Sequence, residues 1–376
     1  METRKGGSKV AAVVLAAGMS TRMGTPKQLL HLGANTLLGH TLENVRKSRA
    51  GEIVLVLGFA ADTIQQQVPT QNCKVVVNTA FQEGMATSLS AGLSALGTGS
   101  EAALIILADQ PFLQPATLNQ LIDDHHKFRP HILLPLYKGF RGNPVLLDRS
   151  VFSELMGLTG DVGCRAIFGS HIENIRKLPV DDVGILVDVD QQSDIEKLLT
   201  GNREKWEAGL REMPAVEGQE NPGRPELVII GHESLARTLA AIARLLHFSI
   251  TMVDPLLTCR NLPEADRVLH ILDFSRLPAC ADRYVVVASH GRFDEEAVAQ
   301  ALSTDQPYVA LVANRKRTQE LREALARNGV ARERLSQLHA PAGIDIGAES
   351  QEEIALSILA EIVAERKATR IRVDSR

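Results

Sequence analysis

Aromatic residues make up only 4% of the 376 residues, with one tryptophan and three tyrosines. A platform for stacked bases needs aromatic faces, so single-stranded nucleic acid is disfavoured as the main ligand. The net charge is −4 and no Lys/Arg run stands out. That excludes a basic nucleic-acid stripe, and it means that a polyanionic substrate must be met by local cations and a metal. Cysteine is scarce, and Cys73, Cys164, Cys259 and Cys280 form no CxxC pair. Reduced, structural thiols are expected, Cys164 among them. No apolar stretch approaches the length of a membrane span, and "METRKGGSKV" has no apolar signal region. A cytoplasmic protein with no membrane or nucleic-acid partner is the expectation.

What is present is an alternation of short apolar runs and amphipathic stretches. Strands are expected at Lys9–Ala16, Glu52–Leu57, Cys73–Val77, Ala103–Ala108, His131–Pro135 and Gly184–Val187. Helices are expected at Thr36–Ser48, Met85–Leu96 and Ala116–Phe128. Continuous apolar strands belong to parallel sheets covered on both faces, so the fold class is α/β. The rhythm stops in "TGNREKWEAGLREMPAVEGQENPGRPE" and restarts with "ELVIIG", "SITMVDP", "RYVVVAS" and "YVALVAN". Two Rossmann-like domains follow, at 8–200 and 226–367, joined by a linker over 201–225. Ser350 and Glu353 form a capping-box pattern at the last helix.

Three places carry chemistry in the first domain. "VVLAAGMSTRMGTPKQLL" is a strand followed by a wide loop holding Gly18, Arg22, Gly24 and Lys27. It is neither a Walker A loop nor GxGxxG. Its backbone N–H groups can cradle phosphate, Arg22 can grip it bidentately and Lys27 adds a compact charge. A Gly-rich turn with two solvated cations is the plain alternative. Asp109 in "ALIILADQPFL" ends a strand at the ligand edge, and Asp188 and Asp190 in "GILVDVDQQSDI" end another. Mg²⁺ takes one or two carboxylates plus phosphates and waters, which Asp109 with Asp188 or Asp190 would supply if the strand ends are neighbours. Asp190 can instead cap the following helix. His125 and His126, on a polar helix end, read as solvated.

"LAAGMSTRMGTPKQLL", "NTAFQEGMATSLSAGL", "LADQP", "RGNPVLL" and "GDVGCRAIF" together resemble the molybdenum cofactor cytidylyltransferases, over about residues 8–200. The resemblance implies transfer of a cytidylyl group from CTP to molybdopterin carrying its molybdenum, with release of pyrophosphate and Mg²⁺ as the cofactor. It implies catalytic roles for Arg22, Lys27 and Asp109. Leu15, Ala16, Ala17 and Gly18, with Arg22 and Lys27, would bind the nucleotide. Asp109 would bind the metal, with Asp188 as the second candidate. Gly84, Met85, Ser88, Arg141, Gly142 and Asn143 would face the pterin or its phosphate, although relatives often carry His where Asn143 stands. Asp161 would hold a loop or the pterin. Ala17 matches the cytidine-selecting pattern, whereas guanine-selecting relatives tend to carry an extra glycine.

The second domain has a Rossmann outline, with Gly231 after its first strand and Asp254 at the ribose-acid position. Glu233 stands where the second fingerprint glycine belongs, which is electrostatically wrong for a pyrophosphate. "MVDP", "YVVVASHGRFDEEAV", "YVALVANRKR" and "APAGIDIGAESQEEIALSILAEIVAER" resemble the C-terminal Rossmann domain of the xanthine dehydrogenase accessory proteins. That resemblance implies cofactor binding and delivery to a client molybdenum hydroxylase of the xanthine dehydrogenase family. His290 and Arg315 are the expected cofactor contacts, with Ser289, Gly291, Arg292, Asn314, Lys316, Gly343, Asp345 and Gly347 beside them. Two other readings stand: nucleotidyl transfer to a sugar or polyol phosphate, and a non-catalytic molybdenum cofactor chaperone.

Overall fold

The computed structural model describes residues 9–19, 26–189, 216–218, 223–256, 262, 264–277, 280, 282–289, 291, 293–304 and 306–374. The chain forms two compact units, residues 1–137 with 141–211, and residues 138–140 with 212–376. Each is an α/β sheet domain.

In the first unit the expected alternation is realised. Its elements are β1 (Val10–Ala16), α1 (Leu37–Lys47), β2 (Ile53–Leu57), α2 (Ala61–Gln67), β3 (Lys74–Val77) and α3 (Met85–Ser94). They continue as β4 (Ala102–Leu107), α4 (Pro115–Phe128), β5 (Ile132–Tyr137), β6 (Val145–Asp148), α5 (Phe152–Met156) and β7 (Ile175–Pro179). The strand order is β7-β5-β6-β4-β1-β2-β3, and the two-residue strand Phe140–Arg141 pairs with β5. β1 is parallel to both β2 and β4, with Leu15 beside Leu107 and Ala16 beside Leu57. β6 runs antiparallel between β4 and β5, so the sheet is mixed.

The central strands read as unbroken apolar runs because both faces are covered. Val13, Val54, Val56 and Ala103 are almost wholly buried in one core with Leu89 and Leu93 of α3. Gly92 lets α3 approach closely, since a Cβ there would lie 2.4 Å from Val13 Cγ1. Thr36 caps α1 by accepting from Gly39 N at 3.0 Å.

One expected strand is absent. Residues Val183–Leu186 wind as a 3₁₀ turn, where a strand was expected at Gly184–Val187. Asp182 is the cause. One carboxylate oxygen accepts from Gly184 N, and the other from Gln114 N and the Thr117 hydroxyl. Gly184 presses on Phe112, whose carbonyl oxygen would lie 2.3 Å from an added Cβ. A short apolar run suits a buried turn as well as a buried strand, and the Asp182 cap selects the turn.

In the second unit the elements are β8 (Val216–Gly218), β9 (Glu226–Ile230), α6 (Ser234–Leu245), β10 (Ser249–Val253), β11 (Arg267–Leu269) and β12 (Arg283–Val287). They continue as α7 (Asp294–Leu302), β13 (Tyr308–Leu311), α8 (Arg315–Arg327), β14 (Leu338–His339) and α9 (Gln351–Asp374). The order is β8-β11-β10-β9-β12-β13-β14, parallel except for β8. This is the doubly wound Rossmann arrangement with one antiparallel edge. The capping box forms: Glu353 N donates to Ser350 Oγ, and Ser350 N donates to Glu353 Oε2.

At the strand starts lies a buried charge cluster that the sequence reading did not find. Glu226 accepts from Arg267 Nη2 at 2.7 Å, Arg283 Nε at 2.6 Å and the Thr251 hydroxyl at 2.6 Å. All four residues are buried.

Candidate functional site

The carboxyl ends of β1 and β4 lie side by side, because the strands are parallel and in register. That edge is where an open α/β sheet binds ligands. β1 delivers Leu15, Ala16, Ala17 and Gly18 there. Ala16 and Ala17 are buried, and Ala17 O accepts from Phe59 N at 3.2 Å, which ties it to the end of β2. Gly18 faces open space, since an added Cβ would meet nothing within 4 Å.

After the loop the chain returns at Pro26 and makes a 3₁₀ turn, Lys27–Leu29. This turn brings Lys27 to Asp109, just beyond β4, with Nζ 2.5 Å from Oδ2. The two side chains are 27% and 13% exposed, so the pair is shielded yet reachable. Asp109 Oδ1 is buried and, among the described residues, has no hydrogen-bond partner. A buried carboxylate oxygen without a donor costs about 1–3 kcal/mol or more unless a cation or donor meets it. Oxygen donors of this kind suit a hard divalent ion. No group of three His, Cys, Asp or Glu among the described residues is placed to hold a metal. The remaining ligands of such an ion would therefore be phosphate oxygens and waters, the usual balance for Mg²⁺.

Asp188 joins this edge from the 3₁₀ turn. Gln110 Nε2 donates to Asp188 Oδ1 at 2.8 Å, and Val189 N donates to Asp109 O at 3.0 Å. The two expected metal carboxylates are therefore held on adjoining backbone, with Gln110 between them. Arg22, Gly24 and Asp190 lie outside the described residues.

Two residues at this edge escaped the sequence reading. Gln28 is 3% exposed, and its Nε2 donates to Ala16 O at 3.0 Å and Gly18 O at 3.2 Å. It clamps both sides of Ala17. Among the described residues Gln28 Oε1 and Gln110 Oε1 are buried and unpartnered, like Asp109 Oδ1. Glutamine in "PKQLL" carries no motif signal; only the return of the turn onto β1 reveals it.

The expected pterin-facing residues fall into two groups bordering residues 160–170. Gly84 starts α3 with φ +115°, and a Cβ there would lie 2.3 Å from Gly160 C. Met85 N donates to Asp161 Oδ1 at 3.2 Å, so Asp161 holds the start of α3. The Met85 side chain is 42% exposed. Ser88 is buried and accepts from Asn78 Nδ2 at 3.0 Å. On the other side, Arg141 is buried, with its guanidinium 5.5 Å from the Phe168 ring centre. Gly142 and Asn143 are threaded against Ile185: Asn143 N donates to Ile185 O at 3.0 Å, and a Cβ on Gly142 would lie 2.3 Å from the same oxygen.

Cys164 is buried, and burial pushes its thiol up to about 12, which makes it inert. His125 is not solvated, as its polar helix end suggested. It is fully buried with Nε2 3.0 Å from Asp148 Oδ2, and burial lowers its pKa. His126 is exposed.

In the second unit the strand ends bear their own network. Asp254 is fully buried, with Oδ2 2.6 Å from His232 Nδ1 and Oδ1 accepting from Leu256 N at 2.9 Å. Glu233 occupies the N-cap position of α6. Ser289 and Gly291 do meet a carboxylate, but it is Asp294: Ser289 Oγ donates to Asp294 Oδ1 at 2.7 Å and Gly291 N at 3.2 Å. Arg315 and Lys316 are exposed at the start of α8, which Asn314 caps. Gly343 N donates to Glu361 Oε2 at 2.8 Å, which fixes the start of the final glycine loop. Asp345 Oδ1 accepts from Gly347 N at 3.3 Å within that loop. His290 and Arg292 lie outside the described residues.

A parallel-centred sheet with a loop, a cation and a carboxylate at its strand ends, linked to a second sheet of Rossmann order, defines a two-domain α/β protein of the nucleotide-handling class. Comparison with known families gives the particular one. Residues 12–175 match the MobA-like NTP transferase domain, and residues 227–362 match the XdhC Rossmann domain. It is 35% identical over 147 residues to protein YqeB of Escherichia coli (strain K12), covering 37% of this chain and 27% of that protein. The chain thus spans about a quarter of that relative's length. It is 29% identical over 199 residues to the nicotine blue oxidoreductase of Paenarthrobacter nicotinovorans, covering 50% of this chain and 96% of that protein. It is 24% identical over 194 residues to the molybdenum cofactor cytidylyltransferase of Escherichia coli (strain K12), covering 50% and 94%. No helix among the described residues is long and apolar enough to cross a membrane.

Proposed function

We propose that the first domain, residues 8–200, transfers a cytidylyl group from CTP to molybdenum-bearing molybdopterin and releases pyrophosphate. The second domain, residues 226–367 beyond a 201–225 linker, binds the cofactor for delivery to a molybdenum hydroxylase. The observation that carries the reading is the Lys27–Asp109 pair at the β1/β4 edge, with Asp109 Oδ1 buried and unpartnered among the described residues. The likeness to the cytidylyltransferase and the XdhC match support it.

In this reading the backbone from Leu15 to Gly18 receives the nucleotide, and Gln28 keeps that backbone in shape. An oxygen of the cofactor's terminal phosphate bonds to the α-phosphorus of CTP, and the bond from that phosphorus to the β-phosphate bridging oxygen breaks. Lys27 and Arg22 meet the charge on the triphosphate and on the leaving pyrophosphate. Asp109, with Asp188 beside it, would hold Mg²⁺, which when bound offsets the phosphate charge and helps orient the transfer. No covalent enzyme intermediate is required, so catalysis rests on positioning and electrostatics. Gly84, Met85, Ser88, Arg141, Gly142 and Asn143 frame the pterin side, and Arg315 with His290 the carrier side.

The test is pyrophosphate release by the full chain with Mg²⁺ and molybdenum-loaded molybdopterin, comparing CTP, GTP and ATP. CTP-dependent release that falls at least about 10³-fold in Asp109→Asn supports the reading, by analogy with loss of a central electrostatic group. Release with GTP overturns the reading of Ala17. Release only with a sugar or polyol phosphate moves the substrate class. No release despite bound cofactor moves the chain to the chaperone class.

A further inference from the structure

At the opposite edge of the first sheet, two histidines face each other. His131 precedes β5, and His171 follows the 3₁₀ segment Cys164–Ser170. Their Nδ1 atoms are 3.1 Å apart, with the rings edge to face. His171 Nε2 lies 2.6 Å from Glu154 Oε2, and the Ser170 hydroxyl donates to Glu154 Oε1 at 2.9 Å.

The proton positions follow from the chemistry. A carboxylate accepts, so His171 Nε2 carries a hydrogen, and in the neutral form of such an imidazole Nδ1 bears the lone pair. His171 Nδ1 lies beside a second imidazole nitrogen, His131 Nδ1. We propose that His131 and His171 form a binding site for a nitrogen-preferring divalent transition metal, with Glu154 orienting His171 from behind. Two imidazole nitrogens at about 2.0–2.1 Å from a tetrahedral Zn²⁺ lie roughly 3.3–3.4 Å apart. The observed separation is within a few tenths of an ångström of that. A carboxylate on the far nitrogen of a ligating histidine is the usual supporting contact of such sites. With no third His, Cys, Asp or Glu placed to bind among the described residues, water completes the coordination.

Imidazole nitrogens suit Zn²⁺, Ni²⁺ or Cu²⁺, whereas Mg²⁺ wants oxygen. The site is thus chemically separate from Asp109, which lies at the other end of the strands. The His171 side chain is 19% exposed and His131 is half-buried, so the pair lies close to the surface. Bound there, it would staple residues 164–171 to the start of β5 and stabilise the fold by mass action.

The test is titration of the full chain with Zn²⁺ alone, in excess Mg²⁺ so that the oxygen site is saturated, read by competition with a chromophoric chelator. One equivalent bound tighter than about 100 µM and a raised melting temperature are expected. His131→Gln and His171→Gln should each abolish both effects, and Glu154→Gln should weaken binding roughly 10–100-fold. Co²⁺ should give a visible ligand-field band that both histidine variants lose. Circular dichroism of the metal-free variants checks that they fold. No binding in this range, or binding unchanged in both histidine variants, overturns the proposal and leaves a plain N–H···N hydrogen bond.

Discussion

Gln28 offers the sharpest test of how the nucleotide loop is held, because its two substitutions should behave in opposite ways. Its amide nitrogen donates to Ala16 O and Gly18 O, and its oxygen is buried without a donor. Two neutral bonds contribute roughly 1–3 kcal/mol, and relieving an unsatisfied buried acceptor returns about 1–3 kcal/mol. Gln28→Met removes both features at nearly constant volume, so its stability change should be close to zero. Gln28→Glu also loses the donors, but it turns a carboxylate toward two carbonyl oxygens. An unpaired buried charge costs about 3–5 kcal/mol, or roughly 6–20 °C in a domain of this size. Lys27 is already drawn to Asp109 and offers little relief. Calorimetric melting of the full chain measures this, the first domain's transition being the one that Mg²⁺ with CTP raises. Although Gln28→Met should melt like the parent, its affinity for CTP should fall about tenfold, the equivalent of one lost bond. Equal melting of the two variants, together with unchanged CTP affinity, would refute the clamp.

Two further outcomes follow from the charge network and the buried histidine. Glu226→Gln leaves Arg267 and Arg283 facing a neutral acceptor in a buried site, so the second domain should lose about 3–5 kcal/mol and melt on the order of 10 °C lower; calorimetry showing a change under about 2 °C would contradict it. His125 has a folded pKa below its ordinary value of about 6.5, so the unfolded chain takes up its proton first as pH falls. Stability from this group is therefore complete above about 6.5 and declines as pH drops toward the lowered folded value. His125→Gln should flatten that part of the stability curve in urea titrations, and an unchanged slope would count against the assignment.

Sequence patterns revealed what local chemistry decides. The strands of both sheets show as apolar runs because burial on both faces leaves no polar alternation. Lys27 and Asp109 were visible because each sits just beyond a strand or turn signal. Gln28 was not, because a clamp exists only once the turn returns to β1. Gly184–Val187 was misread because Asp182, acting through Gln114 and Thr117, decides the turn from a distance. His125 was misread because its partner Asp148 is 23 residues away. The charges of the Glu226 cluster, Glu226, Arg267 and Arg283, are first residues of strands, which patterning treats as boundaries, and Thr251 joins them from mid-strand.

The second domain shows most clearly why a fold does not name a ligand. A dinucleotide on a Rossmann sheet needs an acid for its ribose, close backbone for its pyrophosphate and donors around its phosphates. Here the acid, Asp254, is buried and bonded to His232 and Leu256 N. The pyrophosphate approach carries Glu233 at the N-cap of α6. The donors after β12, the Ser289 hydroxyl and Gly291 N, already serve Asp294. Both positions that would greet the pyrophosphate therefore hold one of the protein's own carboxylates, Glu233 and Asp294. Installing a dinucleotide would mean displacing these two, Glu233 and the nearly buried Asp294, and freeing Asp254 from His232 and Leu256 N. Among the described residues, Arg315 and Lys316 at the start of α8 are exposed cations at this edge, where a phosphate can be met without displacing these carboxylates. Recognition by this domain is thus argued from its cations and its final glycine loop, and the Rossmann topology supplies only the edge on which they stand.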